Sequence, residues 1–146
     1  MLDAWKRAGP HALGWTGATE DTIHDIASEE SLMGLVSDPK LKFFACEENG
    51  EITGFAANRV RDASTIELAG IIVRDDLLGK GIGSLLISKC IESARDAGFS
   101  GMVVKTEASN ERAISFYVER GFVRLGNAVE IVENSKVDLA TLRLAL

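Results

Sequence analysis

The sequence predicts a mixed α/β (α+β) fold: a mostly antiparallel, twisted sheet with helices on both faces. Three observations carry this. Asn49-Gly50 sits between two apolar runs, a strong hairpin signal. Glycines 79, 81 and 83 separate an apolar run, Ile71-Ile72-Val73, from a stretch with helical spacing. That helix stands between strands 65–73 and 102–106, which predicts a parallel pair with a right-handed crossover.

The elements follow in order. Residues 2–8 predict a short helix ended at Gly9-Pro10. Residues 11–17 read as a loop carrying Trp15, and Thr19 as the N-cap of a helix through Ile23, Ile26 and Ala27. Helical turns over 28–36 stop at Asp38-Pro39. Strands are expected at 41–47, 52–59 and 65–73, forming a meander. On the third strand, Ile66, Leu68 and Gly70 share one face, and Thr65, Glu67, Ala69 and Ile71 the other.

The next helix spans about 81–97, with Ile82, Leu85, Leu86, Lys89, Cys90, Ser93 and Ala94 on one mostly apolar face and Gly98 beyond its end. A short strand covers 102–106. Asn110 or Ser109 caps a helix over 111–120, closed by Gly121 with Phe122 as the following apolar contact. Two last strands, 123–133 and 137–146, are joined at Asn134-Ser135-Lys136.

The bulk numbers narrow the classes. A chain of 146 residues with 46% apolar and 26% charged residues reads as one domain over 1–146 with an ample core. A net charge of -6 argues against nucleic acid as a partner. It suits a cationic small molecule or a peptide amine as partner, and equally a merely soluble surface. No apolar run reaches membrane-spanning length. The N-terminus lacks a signal peptide's apolar stretch, so a cytoplasmic protein is expected. Cys46 and Cys90 read as small buried hydrophobes, and with two histidines no metal site is expected.

The glycine-rich bend is the main functional signal. Glycines where a helix begins leave its first N–H groups free to face an anion, which the helix dipole also favours. A phosphate-binding P-loop fails, because Arg74 stands at its first glycine and Gly81 follows Lys80. A dinucleotide fingerprint fails too: counted from Gly79 its last glycine is Ser84, and a hairpin meander comes first.

A third pattern, Arg/Gln-x-x-Gly-x-Gly/Ala, fits Leu78-Gly79-Lys80-Gly81-Ile82-Gly83 at all but the first position. This resembles motif A of the GCN5-related N-acetyltransferase superfamily, whose loop binds the pyrophosphate of acetyl-CoA. Residues 110–122 resemble that superfamily's motif B, Asn-x-x-Ala-x-x-Phe-Tyr-x-x-x-Gly-Phe. Asn110, Ala113, Phe116, Tyr117, Gly121 and Phe122 all match. The resemblance covers roughly residues 41–146.

Two departures stand out. Leu78 replaces the usual Arg or Gln, which removes one charge-assisted contact from a cradle built mainly of backbone N–H groups. The chain also begins inside what resembles the family's first helix, with no first strand before it. Truncation, an open sheet edge, or an edge filled by another subunit in a homodimer are the alternatives.

The resemblance implies roles for particular residues. Gly79, Lys80, Gly81, Ile82, Gly83 and Ser84, with Leu78, would hold the pyrophosphate. Lys80 and Arg112 would serve the remaining phosphates, though surface charge is the commoner role of each. Ile71, Ile72 and Val73 would offer backbone groups to the pantetheine, which requires strands 65–73 and 102–106 to splay, often at a bulge. Asn110 would bond near the pantetheine, cap its helix, or both.

Tyr117 is the candidate acid, because a phenol stays protonated at neutral pH and can donate to a departing thiolate. The alternative is a core aromatic. Glu67 is the candidate base, with a solvated or ion-paired strand residue as its alternative. The acceptor would be approached by Trp15, His24, residues 28–37 and the last hairpin, and His11 and His24 are equally bystanders.

The expected function is transfer of acetyl from acetyl-CoA to a primary amine, by direct attack in a ternary complex and without a metal. No cysteine is placed to carry an acyl group. The rival is a coenzyme A-binding module that senses or assembles without catalysis.

Overall fold

A computed structural model of the protein describes residues 37–132 and 134–146. The helices expected before residue 37, with His11, Trp15 and His24, lie outside the described residues.

The strands are β1 (Leu41–Glu48), β2 (Glu51–Val60), β3 (Thr65–Val73), β4 (Gly101–Glu107), β5 (Val123–Val132) and β6 (Ser135–Ala145). The helices are α1 (Ile82–Asp96) and α2 (Glu111–Val118). The six strands form one sheet in the order β1-β2-β3-β4-β6-β5. Every neighbouring pair is antiparallel except β3 and β4, which are parallel as expected.

Local chemistry accounts for the turns. Asn49 and Gly50 have φ of 53° and 80°, the left-handed pair that a tight two-residue hairpin requires. Between β2 and β3 the Asp62 carboxylate accepts the N–H groups of Ser64 and Thr65, each at 2.8 Å. Helix α1 ends at Gly98, whose φ is 87°, while the Phe99 N–H donates to the Ala94 carbonyl at 3.1 Å. Helix α2 stops at Val118, two residues before the expected end. There Gly121 turns left-handed and the Phe122 N–H closes back on the Tyr117 carbonyl at 3.1 Å.

One expectation is corrected. The register of β3 against β2 slips between Ala57 and Asn58, whose partners are Gly70 and Leu68. Ala69 is therefore an extra residue in β3, a bulge. It reverses the alternation beyond it. Ile71 and Val73 join Ile66 and Leu68 in the core, although strict alternation puts Ile71 on the opposite face.

The core lies between the sheet and the two helices. Leu86, Ile87, Cys90 and Ala94 of α1 and Ala113 and Tyr117 of α2 share one buried apolar cluster with Ala56, Met102, Val104 and Leu142 of the sheet. Both described helices thus cover the same sheet face. On the other face Phe55, Ile72, Val103 and Leu139 are also buried. Helix α1 approaches β2 closely at Gly54, where an added Cβ would meet the Ile72 carbonyl oxygen at 2.8 Å and the Ile82 side chain at 3.1 Å. Lower down, Asn58 Nδ2 donates to the Cys90 carbonyl at 2.9 Å and ties the two elements together.

β5 is an edge of the sheet among the described strands, and Val123, Leu125, Val129 and Ile131 on it are exposed. Its register against β6 slips between Arg124 and Gly126. No helix among the described residues is long and apolar enough to cross a membrane.

The buried core sets a pH dependence. Burial pushes the Cys90 thiol from 9.0 up to about 12. Burial also pushes the Tyr117 phenol upward, with Cys90 adding to the shift and Arg120 opposing it. Both groups hold their protons more tightly folded than unfolded. Their contribution is therefore complete below about pH 9 and is lost as pH rises toward 12. Urea unfolding from pH 8.5 to 11 is expected to show stability falling with pH, each group adding up to about 1.4 kcal/mol per pH unit. Cys90→Ala should make the decline shallower, and an unchanged slope would contradict this account.

Candidate active site

The site begins where two strands part. β3 pairs with β4 only at Thr65↔Gly101, Ile66↔Met102 and Glu67↔Val103. Beyond that point β3 stays bonded to β2, through Ile71, Ile72 and Val73, while β4 stays bonded to β6. The Ala69 bulge lies just past the parting, where extra twist turns a strand away from its neighbour. From Leu68 to Val73 the β4-facing edge of β3 has no strand partner among the described residues. An extended chain carrying amides can pair with such an edge.

β3 then runs into a clamped turn. The Arg74 N–H donates to the Thr53 carbonyl at 2.9 Å, and Leu77 N–H to the Arg74 carbonyl at 3.0 Å. The Arg74 guanidinium forks onto both carboxylate oxygens of Asp76, at 2.9 and 2.6 Å, and reaches Glu51 at 3.0 Å. Those carboxylates hold Arg74 above the usual guanidinium range. This arginine secures the turn ahead of the glycines.

The glycines take over from there. Gly79 and Gly81 have φ of 78° and 84°, and Gly81 is the N-cap of α1, with no side-chain cap bond. The first intrahelical bond runs from the Leu85 N–H to the Gly81 carbonyl at 3.0 Å. The N–H groups of Ile82, Gly83 and Ser84 precede it and have no helical carbonyl to bond. No acidic residue stands in this first turn. The positive end of the α1 dipole is thus open to an anion.

These amides open into a cleft of about 480 Å³, within the ordinary size range of small-molecule sites. One wall is Val73, Leu77, Leu78, Gly79 and Gly81 to Ser84, and the other is Arg112, Ser115, Phe116, Glu119 and Arg120 of the α2 region. The walls meet at Gly83, where a Cβ would lie in ordinary contact with the Phe116 ring at 3.5 Å.

Arg120 reaches across this junction. Its Nη1 donates to the Phe116 carbonyl at 2.7 Å, its Nη2 donates to the Ser84 hydroxyl, and its guanidinium lies 3.6 Å over the Phe116 ring. Of the residues named from the sequence, Val73, Leu78, Gly79, Gly81, Ile82, Gly83, Ser84 and Arg112 line the cleft. Lys80 is exposed and does not line it.

Ser115, Phe116, Glu119 and Arg120 were not singled out from the sequence as site residues. Their signal was the helical spacing from Arg112, because residues 112, 116, 119 and 120 recur at three to four positions. Ala113 and Tyr117 point the other way, into the core.

The remaining candidates lie outside the cleft. Tyr117 is 0% exposed, edge-on to Phe116 with ring centroids 5.4 Å apart, and packed against Phe122. Its hydroxyl has no hydrogen-bond partner among the described residues, a costly state for a buried polar atom. Glu67 sits at the last paired position before the strands part. Its side chain is 19% exposed and lies 3.6 Å from the Arg61 guanidinium. Asn110, rather than Ser109, caps α2, its Oδ1 accepting the Ala113 N–H at 3.0 Å. Among the described residues no group of three or more His, Cys, Asp or Glu is placed to hold a metal.

Comparison with known proteins agrees with this architecture. The sequence profile described as Acetyltransferase (GNAT) family matches residues 5–122. The chain is 35% identical over 114 residues to the L-amino acid N-acyltransferase MnaT of Escherichia coli, covering 75% of this chain and 63% of that protein. It is 36% identical over 86 residues to an uncharacterized N-acetyltransferase of Methanocaldococcus jannaschii, covering 55% of this chain and 38% of the relative. The chain thus spans less than two thirds of the length of either relative.

Among solved structures, a ribosomal-protein-alanine N-acetyltransferase from Brucella melitensis superposes with a TM-score of 0.74 at 21% identity, covering 99% of this chain and 91% of that one. A GNAT family acetyltransferase from Elizabethkingia anophelis, solved with acetyl-CoA bound, gives 0.68 at 20% identity, covering 82% and 84%. Both share the fold with this chain.

The cradle's backbone is directly testable. A Cβ at Gly81 meets nothing within 4 Å, so only its φ of 84° resists substitution. Gly81→Ala is expected to cost about 1 kcal/mol in urea unfolding, from left-handed strain alone. A loss near zero would mean that the bend does not need this conformation.

Proposed function

The chain belongs to the GNAT acetyltransferase family, and on that premise we propose that it transfers acetyl from acetyl-CoA to a primary amine, as a single domain over residues 1–146. One observation carries the reading: the bare amides of Ile82, Gly83 and Ser84 open into a cleft that reaches Val73, at the end of the β3 edge that β4 leaves unpaired. A diphosphate suits the amides, and a pantetheine arm, which carries amides of its own, suits the strand edge.

Attack on a thioester needs an amine without its extra proton, and an alkylammonium has a pKa of about 10. Glu67, at the parting of the strands, is our candidate to accept that proton directly or through water. The thiolate that leaves needs a proton in return. Tyr117 is our candidate donor. Burial keeps its phenol neutral, and its hydroxyl is not committed to any acceptor among the described residues. The amine attacks in a ternary complex. Cys90 is buried with its thiol held protonated, and Cys46 is raised in the same direction by burial, so neither suits an acyl carrier. The net charge of -6 favours a cationic acceptor.

The 0% exposure of Tyr117 favours a second reading, a coenzyme A-binding module without transfer. Thiol release from acetyl-CoA across an amine panel separates the two. Turnover with at least one amine supports the transferase. Saturable acetyl-CoA binding with no turnover on any amine supports the module, and no binding at all removes both. Tyr117→Phe is expected to lower kcat about 10- to 100-fold while leaving acetyl-CoA affinity near the wild-type value. Unchanged kcat would remove Tyr117 from the acid role. Glu67→Gln is expected to flatten the acid limb of the pH–rate profile, and an unaltered profile would leave water as the base.

A further inference from the structure

The leucine at position 78 leaves the glycine bend without a charged side chain at the start of its motif, and the structure shows a cation arriving from elsewhere. We propose that Arg120, just past the end of α2, is the residue that grips the diphosphate of the coenzyme together with the α1 amides. The proposal rests on the coenzyme reading given above.

Three contacts hold the guanidinium in one place. Nη1 donates to the Phe116 carbonyl at 2.7 Å, the group lies 3.6 Å over the Phe116 ring, and Nη2 donates to the Ser84 hydroxyl. Ser84 is the third residue of α1, and its own N–H is one of the bare first-turn amides. An anion seated on those amides therefore meets Arg120 at the same serine.

The guanidinium carries five N–H groups, of which these contacts engage two, so donors remain for a phosphate. The neighbouring carboxylate is a weak competitor, since Glu119 stands 4.0 Å away and is 75% exposed.

The other cations near the bend are less suited. Lys80 and Arg112 are exposed, and fixing a long mobile side chain costs entropy that Arg120 has already lost. Arg120 is 25% exposed and is held in place before any ligand arrives. The spacing explains how it gets there. Arg120 follows Phe116 by four residues, which lays the guanidinium over the ring. That ring lies against α1 at Gly83.

The test is calorimetry on the full chain with coenzyme A and with dephospho-coenzyme A, which keeps the diphosphate and lacks the 3′-phosphate. Arg120→Gln is expected to weaken both ligands by the same factor, about tenfold, and the factor should shrink as salt rises. Adding Leu78→Arg to Arg120→Gln should recover part of the loss, because it returns a cation to the bend.

Arg120→Lys keeps a charged stem over Phe116 and is expected to lose severalfold on both ligands. It carries the comparison if the glutamine variant does not fold. Wild-type affinity in Arg120→Gln overturns the proposal. A loss seen with coenzyme A alone also overturns it, by moving the contact to the 3′-phosphate. A loss that ignores salt and that Leu78→Arg does not repair means that Arg120 only braces α2, which overturns it too. If the wild-type chain binds neither ligand, the coenzyme reading itself has failed, and that result differs from all of these.

Discussion

Everything at the site follows from the early end of one strand pairing. β3 and β4 are parallel neighbours for only three positions, ending at Glu67 and Val103. A longer ladder would satisfy their facing amides and carbonyls and leave nothing for a ligand. The two strands are instead held apart from outside, β3 by its ladder to β2 and β4 by its ladder to β6. The bulge at Ala69 reconciles these demands. It turns the second half of β3 while returning Ile71 and Val73 to the core, so opening the sheet does not expose its apolar face.

Helix α2 serves packing and site at once. Ala113 and Tyr117 anchor it in the core, and the Asn110 cap and the turn at Gly121 fix its two ends. Its opposite side presents Arg112, Phe116 and the following Arg120 to the cleft. The two faces are one residue apart, as at Phe116 and Tyr117. A shift of the helix that disturbed the buried tyrosine would therefore move the cleft wall as well. Arg120 bonds to both helices, through the Phe116 carbonyl and the Ser84 hydroxyl, and couples their separation to the shape of the cleft.

Much of this was legible in the sequence because it was local. The Asn49-Gly50 hairpin, the bend at glycines 79, 81 and 83, the Asn110 cap and the Gly121 stop each rest on residue types that a particular backbone conformation demands. What was not legible depended on pairing. The resemblance implied a bulge where the strands splay, but nothing in the residues places it at Ala69. It arises from register against β2, and it overturned the face assigned to Ile71. Arg120 was missed for a similar reason. Its role depends on Ser84, which is 36 positions away in the chain. The helical stripe from Arg112 was visible, but the element it would face was not. Helices were expected on both sheet faces, and the two that are described share one.

The slip at Gly126 has a consequence for solubility. β5 shows Val123, Leu125, Val129 and Ile131 to solvent at the rim of the described sheet, a row that a straight strand would offer as a template to any other extended chain. The irregularity falls between Arg124 and Gly126, within that row. A foreign strand zipping along from either end would lose step there, so only short segments find a continuous ladder. Interrupted periodicity at the rim thus lets the molecule keep an oily border without inviting runaway growth into fibres.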